Sequence, residues 1–163
     1  MPGGTYPERG FATKNPTIRA AGKEDLPQIV ALLADDDLGS RREHAEGPLP
    51  TAYVDAFRDI DEDARNERVV TEAAGRIVAT VQPTSVPSLT HQGGERARVE
   101  GVRVAAGHRG TGGLLFGWVE SGARQRGCRM VQFTTDKRRP DALHFYEALG
   151  FRATHEGMKL PLA

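Results

Sequence analysis

The sequence predicts one α/β domain built on a central mixed sheet. Three observations carry this. Val99, Val102 and Val104 lead into a glycine-rich turn, Gly107 to Gly113, and then into an amphipathic stretch that stops at Gly127. Two strand-like segments, 68–74 and 76–83, meet at Ala74-Gly75 as a hairpin. Apolar residues recur at helical spacing in three further segments: 26–33, 53–60 and 141–149.

In chain order the elements read βααβββαβαβ. Residues 1–16, MPGGTYPERGFATKNP, combine Gly, Pro and charge without an apolar core, so they are expected to form a flexible extension ahead of a single domain, 17–163. Residues 17–20 are a short strand, broken by Gly22. Leu26, Ile29, Val30, Leu32 and Leu33 give the first helix its apolar face, with Pro27 tolerated in its first turn. Asp35-Asp36-Asp37 ends it, and residues 38–50 form a polar loop. Thr51 is the expected cap of the second helix, whose buried side is Tyr53, Val54, Phe57 and Ile60. Its acidic far end opposes the helix dipole and predicts fraying there. After the hairpin, residues 86–94 are a loop and 96–104 a strand. The long helix is expected to begin near Leu114, with Leu115, Trp118, Val119 and Ala123 on one face. A strand over 129–135, a charged turn at 136–140 and a helix over 141–149 follow. Residues 151–153 and 158–160 read as the last strand pieces.

Composition narrows the function. Of 163 residues, 22 are Lys or Arg and 22 are Asp or Glu, so no bulk charge draws the chain to nucleic acid or membrane. The single cysteine, Cys128, excludes an intramolecular disulfide framework and fits a reducing, cytoplasmic setting. No apolar run approaches the roughly 20 residues that span a bilayer. His91, His144 and His155 are scattered without metal-ligand spacing, so no metal is expected.

The glycine turn carries the chemistry. A glycine-rich turn opening a helix aims free N–H groups at one point, and the positive end of the helix dipole adds to that field. Such a cradle suits a phosphate or pyrophosphate, and Arg109 adds a permanent positive charge. It is not a P-loop, because no Gly-Lys-Ser/Thr follows the glycines. Nor is it a dinucleotide fingerprint, because the turn comes late and no acid lies about 20 residues on.

Two motifs carry a family resemblance. Val102-Arg103-Val104 leading to Arg109-Gly110-Thr111-Gly112 resembles the acyl-CoA pyrophosphate loop, Arg/Gln-x-x-Gly-x-Gly/Ala, of the GNAT superfamily of N-acetyltransferases. Downstream, Asp141-Ala142-Leu143-His144-Phe145-Tyr146-Glu147-Ala148-Leu149-Gly150-Phe151 resembles that family's A-x-x-F-Y-x-x-x-G-F signature. The element order from 17 to 160 agrees. The match departs at one place: Leu114 stands where the family has Gly or Ala, and the loop reads about two residues short.

The resemblance implies a mostly antiparallel sheet flanked by helices, and acetyl transfer from acetyl-CoA to a primary amine by direct attack in a ternary complex. Such an amine has a pKa of about 10.4 and needs a base to free its lone pair. The implied pyrophosphate site is Arg109, Gly110, Thr111, Gly112 and Gly113. Val102, Arg103 and Val104 are implied to pair with the pantetheine arm and to supply the oxyanion donor, the family's strand here often being bulged. Tyr146 is the implied acid for the leaving thiolate, with a core aromatic as its other reading. Glu100 is the candidate base, or a strand carboxylate paired with Arg98 or Arg103. Thr135, with Thr134, is expected to line the cofactor side. Lys137-Arg138-Arg139 reads as a solvated turn more than as a partner for the 3′-phosphate of coenzyme A. Asp35 to Asp37 reads as a solvated helix end more than as an attractor of cationic amines. His108 reads as loop surface and Cys128 as buried packing. The acceptor is expected to be a small-molecule or peptide amine, entering over residues 38–50 and 86–94, in a protein that forms a homodimer in many relatives. The rival reading is an acyl-CoA-binding or regulatory protein on the same fold, catalytically weak because of the short loop.

Overall fold

The computed structural model describes residues 15–162, so nearly all of the expected extension, 1–16, lies outside the described residues. The elements are β1 (Thr17–Ala20), a 3-10 turn (Lys23–Asp25), α1 (Leu26–Ala34), α2 (Thr51–Glu62), β2 (Val69–Ala73) and β3 (Arg76–Val86). Then come a helical turn α3 (Thr90–Gly93), β4 (Arg96–Val104), α4 (Arg109–Gln125), β5 (Met130–Gln132) and α5 (Pro140–Ala148). The sheet runs in chain order, β1-β2-β3-β4-β5. Its first three pairings are antiparallel and only β4 with β5 is parallel. Antiparallel neighbours need only short connections, and a parallel pair needs a crossover, which α4 supplies.

The β2–β3 turn places Ala74 and Gly75 both at positive φ, 51° and 76°, the backbone hand that matches strand twist in a two-residue hairpin. The strand β3 passes through Pro83 and ends at Val86, three residues beyond the expected end. Pro83 is tolerated because its carbonyl accepts from Glu67 N–H at 3.1 Å. Its missing donor therefore faces the side where β2 has not yet begun.

Each sheet face buries its own cluster. Val69, Ala79, Val81 and Val99 pack with Leu115, Phe116 and Val119 of α4 on one face. Val70 and Ile77 pack with Ile29 and Leu32 of α1 on the other. The expected apolar faces of α1 and α4 are thus the ones buried. At the edge, the buried Asp25 carboxylate accepts from Arg19 at 2.6 and 3.0 Å and from Gly22 N–H at 2.8 Å.

Four local expectations are corrected. Thr51 is the first helical residue of α2 and Pro50 holds the cap position, with no side-chain capping bond. The helix α4 starts at Arg109 and not near Leu114, so the second half of the glycine turn is helical. Thr111 and Gly112 are buried there, and this packing draws glycines into a helix they do not favour intrinsically. The strand at 129–135 shrinks to Met130–Gln132, because β5 pairs with β4 over three residues only. Finally, residues 151–153 and 158–160 form no strand. Met158, Leu160 and Leu162 are instead exposed, and alternation without a paired edge does not make a strand.

Candidate functional site

The site begins where the sheet opens. Arg96, Ala97 and Arg98 of β4 pair with Met130, Val131 and Gln132, and there the pairing stops. From Val99 to Val104, β4 has no β5 partner among the described residues. A strand edge left unpaired beside a parallel neighbour presents free N–H and C=O groups to an extended ligand.

Within that open stretch β4 is bulged. Thr80 faces Arg103 and Gln82 faces Glu100, so Gly101 and Val102 together oppose Val81. Gly101 takes φ +58°, the left-handed conformation that lets a glycine bulge form. A bulge leaves a residue outside the ladder and re-aims its backbone groups. An isolated glycine within the strand pattern was the available signal for this position, and Gly101 joins the site as a residue the motifs did not single out.

The glycine turn lies at the end of the same strand. Gly107 sits at φ +83° and His108 holds the cap position of α4 without a side-chain capping bond. No acidic residue occupies the first turn, which is Arg109-Gly110-Thr111-Gly112. The end of a 17-residue helix is therefore uncapped and carries an arginine. Gly112 has no room for a side chain: a Cβ would stand 2.9 Å from Phe145 Cζ and 3.5 Å from Val104 Cγ2. Gly110 and Gly113 face open space. The predicted cradle residues Arg109 to Gly113 and the strand residues Val102 and Val104 are thus brought together, and α5 closes on them through Phe145.

Tyr146, the next residue on α5, is embedded in an aromatic cluster. Its ring centroid lies 4.3 Å from Phe133, 5.2 Å from Phe145 and 5.3 Å from Phe116. Burial raises the Tyr146 hydroxyl above its ordinary pKa, against the opposing pull of the Arg103 and Arg139 guanidiniums. The hydroxyl therefore carries its proton at neutral pH, the state an acid must start from. Sequence periodicity could not assemble Phe116, Phe133 and Phe151 around this tyrosine, because they come from three separate segments.

The remaining predicted residues divide. Glu100 is exposed and pairs with Arg98 Nη2 at 2.9 Å. It shares a face with Arg98, opposite to the buried Val99, and so points away from α4. Thr135 is exposed and lies beyond the end of β5 in the connection to α5. Lys137, Arg138 and Arg139 are each in ion pairs, with Glu156, Asp136 and Asp36 respectively. Asp36 is therefore engaged: it binds Arg139 at 2.6 Å and lies 3.5 Å from Arg103. Cys128 is half-buried, 3.7 Å from Ser85 Oγ. Among the described residues no cluster of His, Cys, Asp and Glu has metal-ligand geometry, and no helix is long and apolar enough to cross a membrane.

Comparison with known proteins agrees with this arrangement. A family model described as the acetyltransferase (GNAT) family matches residues 29–151. The chain is similar to a glucosamine 6-phosphate N-acetyltransferase of Trypanosoma brucei brucei, 30% identical over 144 residues, covering 82% of this chain and 95% of that one. Among solved structures, a Bacillus halodurans protein described as a transcriptional regulator is 50% identical with a TM-score of 0.87, covering 90% of this chain and 99% of its own. A Trypanosoma brucei acetyltransferase is 27% identical with a TM-score of 0.71, covering 91% of this chain and 100% of its own. With the open β4 edge, the uncapped α4 turn and the Phe145-Tyr146 pair in the same places as the two motifs, the chain belongs to the acetyltransferase (GNAT) family, whose chemistry is acetyl transfer to an amine.

Proposed function

We propose that the protein transfers an acetyl group from acetyl-CoA to the primary amine of a small molecule by direct attack. The observation that carries this reading is the open edge of β4 ending at an uncapped helix N-terminus, with Phe145 of α5 against Gly112 and Tyr146 packed in the same cluster as Val102 and Val104. Val102, Arg103 and Val104 hold the pantetheine arm by backbone hydrogen bonds, as an added strand is held. Arg109, Gly110, Thr111, Gly112 and Gly113 hold the pyrophosphate. The helical start at Arg109 lets the first turn of α4 itself supply donors, so a loop two residues short still presents a cradle. Thr135 flanks the entrance.

The amine reaches the carbonyl carbon from the face bearing Glu100. Glu100, directly or through a water, accepts the proton that the ammonium must lose. The amine nitrogen bonds to carbon, the C=O becomes an oxyanion, and the bulged backbone at Gly101 and Val102 donates to it. The C–S bond then breaks and the thiolate takes the Tyr146 proton. The nitrogen, cationic after the attack, gives its second proton to the tyrosinate, directly or through a water, so the amide leaves uncharged and Tyr146 is restored, while Glu100 releases the first proton to solvent. No residue in the opening is placed as a covalent nucleophile, which favours a ternary complex.

Calorimetry with acetyl-CoA, followed by thiol release across an amine panel that includes glucosamine 6-phosphate, tests the reading. Absence of binding at millimolar cofactor sinks it. The 50% identical protein described as a regulator keeps a second reading in view. Tight acetyl-CoA binding with no thiol release from any amine favours that regulatory role.

A further inference from the structure

The face of the sheet away from α4 carries an unneutralised group. Gln82 and Thr80 alternate with the buried Val81, so they point to the α1 side, toward the loop that links α1 to α2. The Arg68 side chain lies over the bulge on this face. Its Nη1 is 3.4 Å from Gln82 Oε1 and 2.7 Å from where a Cβ of Gly101 would stand. Its Nη2 is buried and has no hydrogen-bond partner. No carboxylate among the described residues lies within ion-pair distance of it. Burial first, and then the neighbouring Arg103 guanidinium, push its pKa down to about 10 against the opposing pull of Glu43, so it remains a cation at neutral pH.

Arg103 is its counterpart. Arg103 Nη1 donates to its neighbour Val102 carbonyl at 2.7 Å, and its buried Nε has no hydrogen-bond partner. That same Nε forms an ion pair with Asp36 Oδ2 at 3.5 Å, and Arg139 holds this carboxylate more closely. Arg42 adds further positive potential at Arg103. The other nearby acid, Glu43, is hydrogen-bonded by the Tyr53 hydroxyl at 2.9 Å. Four guanidiniums, at 42, 68, 103 and 139, therefore share two carboxylates, at 36 and 43. A buried guanidinium without an anion is strongly unfavourable in an otherwise well-packed sheet. Gly101 supplies the space that lets Arg68 reach this position. Retaining the charge makes physical sense where a ligand completes it.

We propose that Arg68 and Arg103 bind an anionic substituent of the acceptor, a phosphate or a carboxylate, on the α1 side of the β4 bulge. This rests on the acetyl-transfer reading above for the identity of the ligand as an acceptor; the anion site itself is a property of the chain. The amine then lies over the bulge with its acidic group fixed by planar donors suited to oxyanions. Specificity arises because a neutral amine leaves Arg68 without an ion-pair partner and Arg103 with only the carboxylate it shares with Arg139.

Thermal unfolding of the whole protein provides the first test, with inorganic phosphate compared with chloride at matched ionic strength. Phosphate at about 20 mM is expected to raise Tm of the wild type and of Arg109→Ala by about 3 °C. In the Arg109→Ala background, where the α4 turn has lost its own cation, adding Arg68→Gln is expected to abolish the rise. In chloride alone Arg68→Gln should melt no lower than wild type, because an unpaired charge is removed. Kinetics supply the second test: glucosamine 6-phosphate against glucosamine, and 4-aminobutyrate against butylamine. At least one anionic member is expected to exceed its neutral partner in kcat/KM by about 30-fold, mostly through KM, and Arg68→Gln to reduce that ratio to about 3 or less. Whichever pair responds distinguishes phosphate from carboxylate. A phosphate response that survives Arg68→Gln in that background overturns the proposal, as does equal turnover of charged and neutral amines. If no amine releases thiol but the phosphate response still vanishes with Arg68→Gln in that background, the acetyl-transfer reading fails and the anion site stands.

Discussion

Replacing Gly101 by alanine tests the oxyanion role proposed for the β4 bulge against a purely structural one. The residue sits at φ +58°, where an L side chain costs about 1–2 kcal/mol relative to its relaxed conformation. Alanine's smaller unfolded-state entropy offsets about 0.5 kcal/mol of that. The new Cβ would also meet Arg68 Nη1 at 2.7 Å, and the guanidinium, being the far end of a flexible side chain, can retreat at a small further cost. The net loss is about 1–2 kcal/mol, which for a chain of this size lowers Tm by about 3–6 °C. Relief of the strain comes by flattening the bulge, which turns the Gly101–Val102 backbone donors away from the developing oxyanion. Loss of one such donor costs about 100-fold or more in kcat, and a partial rotation is expected to cost about 10-fold. The assay is single-turnover thiol release with acetyl-CoA and the best acceptor from the panel, alongside a melting curve. KM for acetyl-CoA should rise by less than about 10-fold, since the pyrophosphate cradle is untouched and only the Val102 contact to the pantetheine arm shifts. A normal kcat in a protein whose Tm has fallen as expected would refute the oxyanion assignment and leave the bulge a purely structural feature.

Three further substitutions and one titration probe the rest. Tyr146→Phe keeps the ring contacts to Phe133, Phe145 and Phe116 and removes only the hydroxyl, so Tm should move little. Its kcat should fall by about 100-fold, and unchanged turnover rules out the acid role. Glu100→Gln breaks an exposed ion pair worth under about 1 kcal/mol, so a large rate loss that high pH partly restores is expected if Glu100 removes the amine proton. A flat rate at neutral pH excludes it. Arg109→Ala should weaken acetyl-CoA binding about 10-fold by calorimetry, and equal affinity means the turn does not hold the pyrophosphate. Hydrogen bonds from Arg19 hold the Asp25 carboxyl below its ordinary 3.8, despite its burial. A depressed native pKa contributes stability that is present above the unfolded value and is lost as pH falls through the native one. Tm should therefore hold down to about pH 4 and drop below it, with Asp25→Asn already less stable by about 1–2 kcal/mol at pH 7 and its Tm less responsive to acid. Identical melting curves for both proteins between pH 3 and 4, to within about 1 °C, would remove Asp25 as the cause.

The order of elements was legible because each rests on a local pattern. The φ-positive pair at Ala74-Gly75 and the apolar stripes of α1 and α4 need no distant partner to be recognised. The errors fall where distant packing decides. Glycines 110, 112 and 113 have poor helix propensity, so the sequence places the start of α4 near Leu114. In the fold, contact of Gly112 with Phe145 and Val104 fixes those glycines in the first helical turn. The same long-range dependence hid the end of the sheet, since residues 158–160 alternate like a strand but meet no edge.

The site shows this division most clearly. Motif spacing singled out Arg109 to Gly113 and Tyr146 as candidates, because a cradle and a tyrosine on a helix are each contiguous stretches of chain. Arg68 escaped, because as sequence it is only one charged residue ahead of a strand. Its meaning comes from Gly101, 33 positions later, whose absent side chain lets the guanidinium lie over the bulge. One glycine thus links the two halves of the reaction. It permits the bulge proposed to aim backbone donors at the acyl oxygen, and it leaves room for the cation proposed to face the acceptor. A side chain at 101 perturbs both, whereas Arg68→Gln perturbs only the second. If the two variants gave the same kinetic phenotype, bulge and cation would be a single structural unit. If Gly101→Ala lowers kcat while Arg68→Gln raises the acceptor KM, acyl activation and acceptor choice are separate functions built on one residue's missing atom.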